Sequence, residues 1–468
     1  GFSTMHELDA PSEPPDCRVL MIAYAFPPVG GSGVQRSAKF AKYLPKFGWM
    51  PTVWAADQPE GFPADDSLAA DLPSELRVLR MSAGNGLQTV RRVLHDFSSA
   101  RPPLRPRGLT TRLAAAIDWR LHAWQTRTGF PDECAAWARR SIAPLLRLLG
   151  HERFDALYST YSPASNHLLA LELKRRTGLP WVADFRDLWT DDFRYREPFS
   201  RRREEHRRLE QEFLQSADAV IGVTPRQTEI LASRLPRDHA KFHTITNGFD
   251  PDDFRGRNPR RPADRRFVLA YVGRFDLVRT SGVLGEALRA FADRLGKNRA
   301  QFVLRLAGHV NATARAMLDA TGIACEYLDY LPHNDAIRCM RTADALLLTS
   351  PFDGNGDTII CAKLFEYLAA HRPILQVGPE GGECDRIVRE CNAGVSVGLQ
   401  ADEILAGLTR LFDAWAADRP LPGCPPEAAK PYSRVRLTAD LAGVLDGVTA
   451  RRNAKNALQV AGEVVCVS

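Results

Sequence analysis

The chain has 468 residues, 44% of them hydrophobic and 25% charged, with a formal net charge of +6. Such a length exceeds one ordinary hydrophobic core, so two domains are expected, and the composition is that of a soluble globular protein. Mild positive charge suits a protein that handles anions, such as nucleoside diphosphates or the inner leaflet of a membrane; dispersed arginines without a helix-turn-helix, zinc-knuckle or aromatic RNA-binding pattern argue against nucleic acid.

Nine cysteines without a Cys-x-x-Cys pair fit a reduced intracellular protein without structural zinc, and no metal site is expected. The uncharged run from Val19 to Gln35 is broken by Pro27-Pro28 and three glycines, so it is not read as a membrane span. Residues 1–15 lack a basic stretch followed by an apolar one, and a cytoplasmic location is expected.

In chain order, Val19-Leu-Met-Ile-Ala-Tyr24 reads as a buried strand, and Gly30-Gly-Ser-Gly33 as a tight loop opening a helix from Val34 to Phe47. Further strands are expected at Pro51–Ala55, Ala156–Thr160, Trp181–Asp184, Ala219–Val223 and Lys241–Ile245. Residues 256–266, with five arginines among prolines, read as a linker. A second series follows at Phe267–Val272, Phe302–Leu306, Cys325–Leu328, Ala345–Thr349, Ile374–Val377 and Gly394–Val397. Short apolar strands alternating with helical segments predict parallel sheets covered on both faces. The expected architecture is α/β, two tandem Rossmann-like doubly wound domains with a ligand cleft between their strand ends. Their bounds are 16–255, with a variable insertion over 57–130, and 264–430. A helix over 431–448 and a tail over 449–468 follow. Within the insertion, Leu113, Ile117, Leu121 and Trp124 form an apolar stripe accompanied by arginines; this fits either a core-facing helix or one lying on an anionic membrane surface.

The richest stretch is 357–374. A buried strand leads into a loop holding Asp353, Gly354, Asn355 and Gly356, then Asp357 and Thr358, then a helix carrying Lys363 and Leu364 with Glu366 one turn on. A turning loop at a helix start offers unpaired N–H groups to an anion, Lys363 adds a cation, and Glu366 on the same face can accept two hydroxyl hydrogen bonds. Lys363-Leu-Phe-Glu366-Tyr-Leu-Ala resembles the signature of retaining glycosyltransferases with the two-Rossmann GT-B fold, in the family 4-like group. Gly273-Arg274-Phe275, after a strand, resembles that group's diphosphate-binding turn; Arg279 stands where a lysine is usual. The resemblance also covers Tyr24-Ala-Phe-Pro-Pro28, the Gly31 and Gly33 loop, the Thr246-Asn247-Gly248-Phe249-Asp250 turn, and Tyr330-Leu331-Pro-His-Asn334.

What the resemblance implies is transfer of a sugar from a nucleoside diphosphate sugar, with UDP-sugars favoured and no separate cofactor. Arg274, Arg279 and Lys363 would hold the diphosphate beside Gly273, Glu366 the ribose, Leu331 the base, and Gly354 to Thr358 the sugar hydroxyls. The family's histidine near the acceptor is matched here by Arg186, which cannot act as a base near neutral pH. Asp184 or Asp187 is therefore expected to take the acceptor proton. The acceptor is expected to be a glycan, a lipid-linked sugar or a small molecule, with peripheral membrane contact as a further expectation. Two rivals share the donor site: a sugar-nucleotide epimerase of the same fold, and a non-catalytic nucleotide-sugar-binding subunit. A dinucleotide reading of Gly31-x-Gly33 competes weakly, because Arg36 stands where the third glycine would fall.

Overall fold

Continuous aliphatic runs become the strands that are buried on both faces. In the computed structural model, which describes residues 17–57, 59, 65–83, 129–192, 195–256, 266–275, 282–351 and 356–465, they assemble into two parallel sheets. The first holds β1 (Cys17–Ile22), β2 (Trp49–Asp57), β3 (Arg77–Ser82), β4 (Ala156–Tyr161), β5 (Trp181–Phe185), β6 (Ala219–Gly222) and β7 (Phe242–Thr244), in the order β3-β2-β1-β4-β5-β6-β7. The second holds β8 (Phe267–Val272), β9 (Phe302–Ala307), β10 (Ala324–Tyr327), β11 (Ala345–Thr349), β12 (Ile374–Val377) and β13 (Gly394–Val397), in the order β10-β9-β8-β11-β12-β13. Both are doubly wound. Strand order reverses between β1 and β4, and again between β8 and β11, so each sheet has a crevice at those strand ends.

Most expected strands are present to within two residues. The exception is β3, which lies inside the span read as an insertion. It is an edge strand paired only to β2, and Arg77 and Arg80 interrupt its apolar positions, which hides it from a search for buried runs. The stripe at Leu113–Trp124 and most of the expected linker lie outside the described residues.

The chain returns to the first domain after the second sheet. Phe249 pairs with Ser433, its N–H donates to the Tyr432 carbonyl at 3.1 Å, and Arg434 N–H donates to the Phe249 carbonyl at 2.8 Å. A helix then runs Arg434–Val465, longer than the expected 431–448. Leu437, Leu441 and Leu445 sit in the same hydrophobic cluster as Val19, Phe40 and Val182. Trp49 Nε1 donates to Asp446 at 2.9 Å. Burial of these leucines fixes the helix to the first domain at about 1.5–3 kcal/mol per side chain. Among the described residues, no helix is long and apolar enough to cross a membrane.

Candidate active site

At the crevice of the second sheet, β8 ends on Val272, whose N–H donates to the Tyr367 hydroxyl at 2.9 Å. Tyr367 belongs to the helix Lys363–Ala369, so strand end and helix are bolted together. Gly273 follows at φ 119°, a left-handed backbone that favours glycine. A Cβ there would come within 2.9 Å of Lys363 Nζ. The missing side chain is what lets the ammonium reach the strand end. Lys363 Nζ lies 3.8 Å from the centre of the Tyr271 ring. It is buried and has no hydrogen-bond partner among the described residues. Arg274, next in the chain after Gly273, is exposed, and its carbonyl accepts from Tyr271 Oη at 2.8 Å.

One turn on, burial raises the pKa of Glu366, opposed by the nearby charges of His333, Arg434 and Lys363. His333 Nε2 meets Asp253 Oδ2 at 2.9 Å, and that bond raises the histidine's pKa. Arg434 is 3% exposed; burial, together with Arg36, pushes its pKa down to about 9. Its Nη1 has no hydrogen-bond partner among the described residues. The ring of Tyr432, two residues earlier, packs 5.4 Å from that of Phe365. The returning segment therefore brings a second buried cation toward Glu366.

Across the cleft, the strand ends of the first sheet surround a cavity of about 180 Å³. Gly31, Gly33, Thr160, Asn166 and Arg186 are among the residues that line it. A Cβ on Gly33 would fall inside the Arg186 guanidinium, so the small residue seats the arginine. Arg186 Nη2 donates to the Ser162 carbonyl at 3.1 Å. A larger cavity of about 340 Å³ lies beyond Ser162. The two domains touch where Arg226 bonds the Asp357 carboxylate and donates to the Gly381 carbonyl at 2.9 Å. Thr224 Oγ1 also donates to the Thr358 carbonyl at 3.3 Å.

This arrangement has relatives. Residues 31–253 match the model of Glycosyltransferase Family 4. Over 92% of this chain and 99% of the other, the fold matches Anabaena HepE, solved with UDP and glucose, at TM-score 0.55 and 12% identity. The chain has the GT-B fold, and its residues 31–253 are similar to Glycosyltransferase Family 4. Sucrose-phosphate synthase from Thermosynechococcus elongatus matches at TM-score 0.51 and 15% identity, over 97% of this chain and 100% of that one. A structure described as a UDP-N-acetylglucosamine 2-epimerase from Listeria monocytogenes matches at 0.52 and 13%, over 90% and 94%. At these identities the likeness is one of fold. No curated protein matches the sequence.

Within this GT-B frame, Gly273, Arg274, Lys363 and Glu366 gather at the crevice of the second sheet, and Gly31 and Gly33 line the facing cavity. Asp184 does not fit its expected part as acceptor base. It is fully buried, and both its oxygens are taken by Arg36, at 2.7 and 3.0 Å, with Tyr158 Oη also bonded to it. The partly exposed Asp187 lies 3.9 Å from Arg186. Leu364 is likewise misplaced for ligand binding, since its side chain is in the core and its N–H donates to the Cys361 carbonyl at 2.9 Å. Leu331 packs at the edge of the same core. Gly356 is buried against the Pro351 carbonyl, while Asp357 and Thr358 face the first domain. Arg279, Gly354 and Asn355 lie outside the described residues. His167 is a packing residue: it accepts or donates at 2.7 Å to Ser159 Oγ, and burial pushes its pKa down to about 3. The Asp250-Pro-Asp252 turn bonds Lys39, Lys42 and Tyr43. Sequence reasoning missed Arg226, Arg434 and the His333–Asp253 pair. Only Arg36 left a signal, as a bulky cation interrupting the glycine pattern.

Proposed function

We propose that the protein is a retaining glycosyltransferase that moves a sugar from a nucleoside diphosphate sugar to an acceptor. The observation that carries this reading is Lys363, a buried ammonium without a hydrogen-bond partner among the described residues, set against Gly273 at the second crevice. Burying an unpaired cation is costly, and a diphosphate would supply the missing partner. Arg274 would extend the same contact, and Glu366 would accept from the ribose. HepE, whose structure holds UDP and glucose, supports a UDP-sugar as the donor class.

In this reading the departing diphosphate is neutralised by fixed side-chain cations placed before the reaction begins, which is where such catalysis gains most. Arg274 and Lys363 would carry that duty. The acceptor would enter from the first domain beside Gly31, Gly33 and Arg186. A donor phosphate oxygen would take its proton as attack occurs on the face the leaving group departs from. Both reactants held in one cleft make the step effectively unimolecular. We place the enzyme in the cytoplasm, with its acceptor a glycan, a lipid-linked sugar or a small molecule.

The test is a panel of UDP-, GDP-, ADP- and dTDP-sugars, followed by proton NMR of the product. Transfer with the donor's anomeric configuration kept is expected, and Arg274→Ala should lower turnover by a hundredfold or more, about 2.7–4 kcal/mol. Inversion of configuration, or conversion of the donor without any acceptor, would replace this reading with another.

A further inference from the structure

The larger cavity of the first domain lies beyond the Tyr161–Ala164 turn from the glycine loop, and Ser162 borders both cavities. Its volume of about 340 Å³ falls in the range of small-molecule sites. One wall is aromatic. The Trp189 ring stands 6.0 Å from Tyr161 and 5.1 Å from His206, and Tyr195 Oη meets His206 Nδ1 at 2.6 Å. Burial holds the His206 pKa below its ordinary value, so this wall is uncharged at neutral pH.

The remaining wall carries charge of both signs in near balance. Glu133 and Glu197 line it with Arg196 and Arg202, while Asp132 is already engaged, accepting from Ser165 Oγ and from the Ser165 and Cys134 N–H groups, each N–H at 2.9 Å. Arg202 Nε and Glu197 Oε2 stand 3.2 Å apart and neutralise one another. A phosphate group would meet the Glu133 and Glu197 carboxylates, and a hydrocarbon chain would lie against ionisable side chains of both signs. A sugar ring satisfies both walls. Its C–H faces pack on aromatic rings, and each hydroxyl can donate to a carboxylate and accept from a guanidinium.

We propose that this cavity is a second saccharide subsite. It takes a sugar unit of an oligosaccharide acceptor, next to the unit seated in the smaller cavity by Gly31, Gly33 and Arg186. The inference rests on the glycosyltransferase reading and narrows its acceptor to a chain of two or more sugars, passing over Ser162.

The test uses the full chain, fluorescently labelled, on an array of immobilised mono- to hexasaccharides with UDP present. Glu133→Gln and Arg196→Ala change exposed residues and should leave the thermal midpoint unmoved; Tyr195→Phe removes only a hydroxyl. Oligosaccharides should bind and monosaccharides should not, and the three variants should weaken array binding about tenfold with UDP affinity unchanged by calorimetry. The inference is overturned if monosaccharides bind equally well, if all three variants bind like wild type, or if a protein that binds UDP captures nothing on the array. Failure of the underlying reading would show separately, as a wild-type chain that binds none of the four nucleoside diphosphates, and it would remove this inference too.

Discussion

Replacing Lys363 by methionine separates a residue kept for a ligand from one kept for the fold, because the two roles predict opposite signs. The ammonium is buried without a hydrogen-bond partner among the described residues. Leaving a charged donor unsatisfied costs about 1–3 kcal/mol or more, while the Tyr271 ring at 3.8 Å returns about 0.5–2 kcal/mol. Methionine keeps an unbranched stem of similar shape and drops the charge. The ligand-free Lys363→Met protein should therefore match wild type within about 1 kcal/mol, or exceed it. Nucleoside diphosphate binding should move the other way. A hydrogen bond to a charged group is worth about 1.5–3 kcal/mol, so Kd for the preferred nucleoside diphosphate should rise between about tenfold and a hundredfold. Urea unfolding and titration calorimetry on the same preparations give both numbers. A variant that loses more than about 2 kcal/mol of stability while binding nucleotide normally would show that Lys363 serves packing, and the donor site would have to be sought elsewhere.

Glu366 has a pKa raised by burial, so it holds its proton more firmly in the folded than in the unfolded chain. Its contribution to stability is then full below the unfolded carboxylate range and is lost as pH rises through the folded value. Glu366→Gln should accordingly be at least as stable as wild type at pH 8, an advantage that vanishes by pH 4, and it should abolish the fall in nucleotide affinity that wild type shows on acidification; pH-independent wild-type binding would refute this. Asp250 behaves oppositely: burial alone would raise its pKa, but Lys39 and its other hydrogen bonds hold it well below the usual range. Its stabilisation is present above the unfolded value and lost as pH falls through the folded one, so Asp250→Asn should unfold more easily at pH 7 and lose less than wild type on acidification; parallel pH curves would count against it. Gly33→Ala should displace the Arg186 guanidinium and cut transfer to acceptor at least tenfold with nucleotide Kd unchanged, as measured by kinetics and calorimetry. Arg226→Ala removes the bonds to Asp357 and Gly381. These are partly solvent-exposed, worth about 0–1 kcal/mol, so the expected result is a larger radius of gyration in small-angle scattering with little change in melting temperature; an unchanged radius would mean these bonds do not hold the domains together.

Local sequence determined the strands, because a strand buried on both faces must be apolar along most of its length, as residues 19–22 and 345–348 are. It also marked where the glycines, Lys363 and Glu366 fall relative to strand ends, since turn and helix spacing are local properties of the backbone. The edge strand β3 escaped because one exposed side breaks the apolar run. Tertiary structure alone decided which charges are free. Asp184 looks available in the sequence, yet Arg36, 148 residues away, takes both its oxygens. Asp357 is bonded across the cleft by Arg226, 131 residues before it, and Arg434 arrives beside Glu366 only because the chain crosses back. Hydrophobic patterning is written along the chain one residue at a time. The partner of a buried charge is chosen by what folding brings within about 3 Å, and no local spacing encodes that.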